Sequence, residues 1–270
     1  MASMSLYLFS SALIALIIAF GFHVVYIWKR NHGMGMVATM FTWMGALFLG
    51  GAWLTRWLAT GHAPYSNMYE YSMSFALATT MSYVVLERKY NARHLGTFIL
   101  PIAIALLAYA KTVPSAIEPL IPALQNQELL TIHVACAMIS YGLFAASFGA
   151  AVTQLVQGSK NRFSWLPPSS TLEEISFRAV AVGFPFLALV LVLGAYWGNI
   201  AWGRYWAWDP KETSALVTWL IYAVYLHTRN LAGWKGDRSA IVLIVGFGAV
   251  LFTYYAVNLW VVGLHSYAGV

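Results

Sequence analysis

Eight stretches of this chain are almost uniformly apolar over about the length a helix needs to cross a bilayer, roughly 20 residues. They are Leu6–Trp28, Met36–Trp57, Met68–Leu86, Leu95–Ala110, Leu129–Val156, Phe177–Tyr196, Thr213–Thr228 and Ser239–Val262, the fourth and seventh being short. Hydrocarbon offers no water to backbone N–H and C=O groups, so each stretch must satisfy them internally and is expected to be a helix. Composition agrees. Only 9% of the 270 residues are charged and 60% are hydrophobic, whereas a soluble domain carries about 25% charged residues. The expectation is an all-α integral membrane protein with about eight transmembrane helices, residues 1–270 forming a single polytopic domain. Leu6–Trp28 is too long for a signal-peptide core and lacks a basic start and a small-residue cleavage site, so it reads as the first span.

The net charge of +6 is therefore a statement about loops and no nucleic-acid signal. Lys29, Arg30, Arg88, Lys89, Arg93, Lys160, Arg162, Arg178, Arg229, Lys235 and Arg238 follow the odd-numbered spans, which puts eleven of the fifteen Lys and Arg on one side. Arg56, Lys111, Arg204 and Lys211 fall on the other. The positive-inside rule makes the first side cytoplasmic, with both termini and the loop between spans six and seven outside. Cys136 is the one cysteine. It excludes an internal disulfide and a CxxC thiol pair, and it reads as a small buried hydrophobe.

That outer loop belongs to the most unusual part of the chain, residues 197–220, WGNIAWGRYWAWDPKETSALVTWL. Trp197, Trp202, Trp206 and Trp208 fall within twelve residues. Gly198 and Gly203 let rings and backbone approach. Pro210 suits the first turn of a helix, with Asp209 before it as cap. Such rings suit a large flat apolar ligand, and Arg204 and Lys211 could pair with its acidic groups. A porphyrin with two propionates fits. Tryptophan is also enriched at membrane interfaces for anchoring alone.

The stretch resembles the tryptophan-rich WWD signature of haem-handling membrane proteins. In the longer form WGRYWAWDPKET followed by LVTWLIYAVYLHTR, it is similar to the CcsA (ResC) family of System II cytochrome c biogenesis. That family usually has Trp after WDPKET, where this chain has Ser214.

The histidines divide by position. His133 opens span five and His265 follows span eight, both at the level of the tryptophan loop, as either haem ligands or interfacial residues bonded to carbonyls. The resemblance implies that both ligate the iron of a non-covalently held haem b under the WWD segment. His227 lies near the inner end of span seven, where a snorkelling residue or a polar interior group is possible. The resemblance implies a ligand to a second haem position, its partner coming from the companion subunit CcsB (ResB). His32 and His94 read as solvated loop residues and His23 as a polar group of the bundle interior. His62 reads as structural, beside the segment PYSNMYE, whose Asn67 and Glu70 could cap and charge the start of span three.

The resemblance further implies a cytochrome c haem lyase (synthase) subunit working with CcsB, in the bacterial plasma membrane or a thylakoid membrane. It would move haem outward and present it to the CxxCH segment of an apocytochrome c for thioether attachment, largely by positioning. Thiol-reducing proteins would act on the substrate from elsewhere. The alternatives are a haem-delivery or export protein without ligase activity, and a non-haem membrane transporter.

Overall fold

The computed structural model describes residues 1–117, 120, 122–256 and 261. Eight α-helices follow one another among them: α1 (Ala2–Lys29), α2 (His32–Thr60), α3 (Met68–Tyr90), α4 (Gly96–Ala110), α5 (Gln127–Gln157), α6 (Ser169–Trp202), α7 (Pro210–Asn230) and α8 (Asp237–Leu251). A π-helical turn, Phe252–Ala256, continues α8. Each of the eight expected spans has its helix. Six stretches are long and apolar enough to cross a membrane: α1, α2, Arg93–Ala110, α5, α6 and Asp237–Tyr255. α3 and α7, with 23 and 21 residues, have the length but are more polar. The chain is an all-α integral membrane protein.

Several helix starts are written in short polar residues. Asn31, Asn67, Asn126 and Asp209 each accept a bond from a backbone N–H of the first turn, satisfying donors that no intrahelical carbonyl reaches. Hydroxyls inside the spans turn back on their own helix. Thr42 donates to the Ala38 carbonyl, Ser74 to Glu70 and Thr80 to Ala76, so they enter apolar surroundings without stranding a donor.

Contacts between helix ends show the up-and-down course. Ser5 of α1 donates to the Ala52 carbonyl of α2 at 2.9 Å. Lys111, just after α4, donates to Ser10 at 2.7 Å. Arg229 near the end of α7 donates to Glu173 near the start of α6 at 2.5 Å. One end of the bundle thus gathers the 203–209 loop and the other gathers most of the basic residues; they are called here the tryptophan end and the basic end. α3 packs against α2, α4 and α5. Its crossing with α5 is backbone to backbone, because a Cβ on Gly142 would sit 2.6 Å from the Ala78 carbonyl carbon. Small residues permit such approaches between membrane helices.

The tryptophan end of α3 holds a charge pair that residue patterns did not announce. Arg56 and Glu70 are each 1% exposed, with Nε–Oε1 at 2.7 Å. Arg56 also donates to the carbonyls of Ser115 at 2.8 Å and Ala116 at 3.2 Å. The second Glu70 oxygen accepts from the Ser66 amide and hydroxyl. One guanidinium therefore ties α2, α3 and the 112–117 loop together. Arg56 was grouped with the outer loop charges by position; it is instead buried in this network.

His23 is fully buried, its Nε2 lying 3.3 Å from Thr42 Oγ1 and 3.2 Å from the Tyr83 hydroxyl, as expected of a bundle-interior polar group. His32 is exposed. His94 departs from its expectation of a solvated loop residue. Its ring packs 5.0 Å from that of Tyr26, because the 3-10 turn Arg93–Leu95 folds under α1 instead of projecting into solvent. Cys136 is buried in α5.

Arg56→Met leaves the Glu70 carboxylate buried without its counter-charge and should cost about 3–5 kcal/mol. Thermal unfolding in detergent checks this. The double variant Arg56→Met with Glu70→Leu should recover part of the loss, because it removes the stranded charge.

Candidate functional site

At the tryptophan end a cavity, part of it open to the surroundings, lies between α5, α6, α7 and the π-helical turn. On α5 it is lined by His133, Ala137 and Tyr141, spaced i, i+4, i+8 on one helix face. Eight residues rise about 12 Å, so the cavity is a well descending from His133 toward the middle of the bundle. Val190, Gly194 and Trp197 line the α6 side, and Trp206, Lys211, Glu212 and Ala215 the α7 side.

The His133 imidazole is half-buried at the upper rim. Its ring meets Trp197 edge-on, centroids 5.5 Å apart and planes 67° apart. Gly194 makes this placement possible: a Cβ there would lie 3.1 Å from His133 Cε1, tighter than a relaxed contact.

The four tryptophans have different surroundings, Trp197 and Trp202 lying in the last turns of α6 and Trp206 and Trp208 in the loop after it. Trp197 is buried and lines the cavity. Trp202 stacks behind it, centroids 6.4 Å apart, away from the well. Trp206 lines the cavity and meets Trp208 at right angles, 5.7 Å between centroids. Trp208 is 70% exposed, with φ of 56°, a conformation uncommon for any side chain with a Cβ. Arg204 is exposed, whereas Lys211 lines the cavity. Only one of the two expected cations is therefore placed to meet an acidic group in it.

Asp209 caps α7 as expected. Its Oδ1 accepts from the Lys211 amide at 2.9 Å, and Pro210 takes the first helical position. Glu212 closes a reciprocal box, accepting from the Asp209 amide at 3.2 Å and from the Ala207 amide at 2.8 Å. Capping boxes of this kind satisfy two orphan donors at once. Ser214 donates back to the Lys211 carbonyl at 3.2 Å.

His227 is not part of this cavity. It lies near the other end of α7 and is exposed. His265 lies outside the described residues. His62 is buried, its Nδ1 2.9 Å from the Ala63 carbonyl within its own loop. Residue reasoning missed Tyr71, Met138, Tyr141, Glu212 and Tyr254 as cavity lining. The four-residue spacing from His133 to Tyr141 was a usable signal. Tyr254 had none, since a π-helical turn aims it and its hydroxyl meets Ser72 at 2.7 Å across the bundle.

Comparison with known proteins bears on what this architecture is. The profile of the family described as cytochrome c assembly protein matches residues 65–265. The chain is 39% identical over 226 residues to the cytochrome c biogenesis protein CcsA of Chlamydomonas reinhardtii, covering 79% of this chain and 63% of that protein. With CcsA of Synechococcus elongatus it shares 36% identity over 264 residues, 78% of this chain and 81% of that protein. The chain belongs to the CcsA family of cytochrome c assembly proteins. A CcsA of Porphyra purpurea is 33% identical over 88% of this chain and 89% of its own length. Among solved structures, the cytochrome c haem lyase CcmF superposes with a TM-score of 0.74 at 17% identity, over 94% of this chain and 46% of CcmF. That likeness extends the shared fold beyond CcsA sequences.

Asp209→Ala should destabilise the protein by about 0.5–2 kcal/mol through the lost cap, whereas Asp209→Asn, which keeps an acceptor, should change little. Unfolding of both variants in detergent distinguishes them.

Proposed function

We propose that the chain is the haem-binding subunit of a cytochrome c synthase, and that the cavity beside His133 is where haem, the substrate, is presented for attachment. The observation that carries this reading is the half-buried imidazole of His133, set edge-on to Trp197 above an apolar well in a CcsA-family chain. The relatives are named for cytochrome c biogenesis, and CcmF is named a haem lyase. A neutral imidazole at the edge of an apolar well suits ligation of haem iron. His265 is the proposed second ligand. Lys211 would take a propionate, Trp197 and Trp206 would pack on the macrocycle, and Trp202, Trp208 and Arg204 would shape the loop that the apocytochrome meets. Asp209 acts at one remove, by holding Trp206 and Lys211 in place.

By the charge distribution the tryptophan end faces away from the cytoplasm. There each CxxCH thiol of the apocytochrome adds across a haem vinyl group: sulfur bonds to one vinyl carbon, its proton ends on the other, and nothing leaves. The chain's part in this is positioning.

His227 fits a second haem position shared with CcsB. It sits on an exposed stripe of α7 with Val217, Leu220 and Val224, continued by Leu231 just past the helix end, all exposed and alternately three and four residues apart. An imidazole in such a stripe is costly against lipid. A companion helix supplying the other face of a haem removes that cost.

Co-purified with its companion subunit, the protein should show a low-spin haem spectrum that His133→Ala abolishes at this site and added imidazole restores. Covalent haem on a co-expressed CxxCH reporter should fall by about tenfold or more. Gly194→Val, which crowds the imidazole from α6, should weaken the same signal. A wild-type preparation without haem would sink the reading, and haem without any reporter product would reduce it to delivery.

A further inference from the structure

The cavity is bounded on one side by the seam between α6 and α7. Leu191, Gly194 and Ala195 stand on one lip of it and Lys211, Glu212 and Ala215 on the other. One turn beyond Ala215 toward the basic end, Trp219 of α7 stacks on Phe184 of α6, centroids 5.0 Å apart and planes 21° from parallel. Eight residues farther along α7, about 12 Å, is His227, exposed at the bundle surface. Cavity, aromatic pair and His227 therefore follow one another along α7.

Directly beneath the cavity the bundle is closed differently. Phe144 and Tyr222 stack at 3.7 Å, both buried, and a Cβ on Gly246 would lie 3.0 Å from the Tyr222 ring. The Phe184–Trp219 pair differs in two respects. Both rings are half-buried, at the edge of the bundle. Phe184 immediately precedes Pro185, inside α6. Proline donates no hydrogen bond to the carbonyl one turn earlier, which leaves the helix able to bend at that level.

We propose that the α6–α7 seam is the passage by which a flat, apolar, carboxylate-bearing macrocycle moves between the His227 surface and the His133 cavity, and that the stacked Phe184–Trp219 pair is its closed gate. The inference rests on the haem reading above and adds the route. Opening needs two side chains to swing and α6 to flex at Pro185, while the helices on the far side of the well keep their packing. A porphyrin face replaces each ring as the other's stacking partner during transit, so aromatic contact is exchanged rather than lost. Lys211 at the far lip then gives the acidic groups a counter-charge on arrival.

The test uses the full chain with its companion subunit in a Cys136→Ala background. Phe184→Cys and Trp219→Cys are introduced together and joined, in haem-depleted membranes, by a short bis-maleimide with a reducible disulfide in its spacer. After haem is supplied, the His133-dependent low-spin signal should be lost in the joined protein and return when the spacer is reduced. Each single-cysteine variant treated with the same reagent should keep it. Pro185→Ala, which restores the helical hydrogen bond, should slow filling of the His133 site without changing its final spectrum. If the joined protein fills the His133 site as fast as the unjoined one, the passage is refuted while the haem reading stands. If the unjoined parent, before any reagent, shows no His133-dependent haem, the reading beneath it fails instead.

Discussion

Two carboxylates within one helical turn hold the tryptophan end of this protein together. Asp209 accepts from the Lys211 amide, and Glu212 accepts from the amides of Ala207 and Asp209. At the mouth of an apolar bundle, amides left without partners would be costly. The box satisfies them and fixes the angle at which the tryptophan loop enters α7. That angle places Trp206 and Lys211 on the cavity. It also holds Trp208 at a positive φ, a strained conformation that survives only where its surroundings over-determine it. Glu212 lines the cavity, but its hydrogen bonds make it an anchor of the loop.

The opposite wall is organised by the buried Arg56–Glu70 pair. Taking two charges out of water is expensive, and their attraction offsets it only when the remaining polar atoms are also bonded. Here they are, through the Ser115 and Ala116 carbonyls and Ser66. The network and the Asn67 cap fix where α3 begins, and Tyr71 and Ser72 follow at once. Tyr71 lines the cavity, and Ser72 meets the hydroxyl of Tyr254 on the π-helical turn. The segment PYSNMYE therefore reaches the site from the far side of the bundle, although as residues it looked only like a helix start.

Much of the architecture was legible because membranes leave few choices. Eight apolar stretches became eight helices, and the Asn67 and Asp209 caps formed where short polar residues preceded them. The site was legible in part. His133, Trp197, Trp206 and Lys211 do share a cavity. Trp202, Trp208 and Arg204, as prominent in the sequence, point elsewhere, and His94 is packed against Tyr26 rather than solvated.

By itself the sequence determined what depends on neighbours a few residues apart. Backbone bonds inside a span, a cap three residues from its target and a stretch's apolar length are all local, and hydrocarbon penalises every alternative. Tertiary structure alone decided what depends on how one helix is rotated against another: which indoles line the well, that Arg56 reaches Glu70 on the next helix, and that Tyr254 closes the cavity beside Ser72. Those outcomes are set by close packing between surfaces far apart in the chain, and no residue period records them.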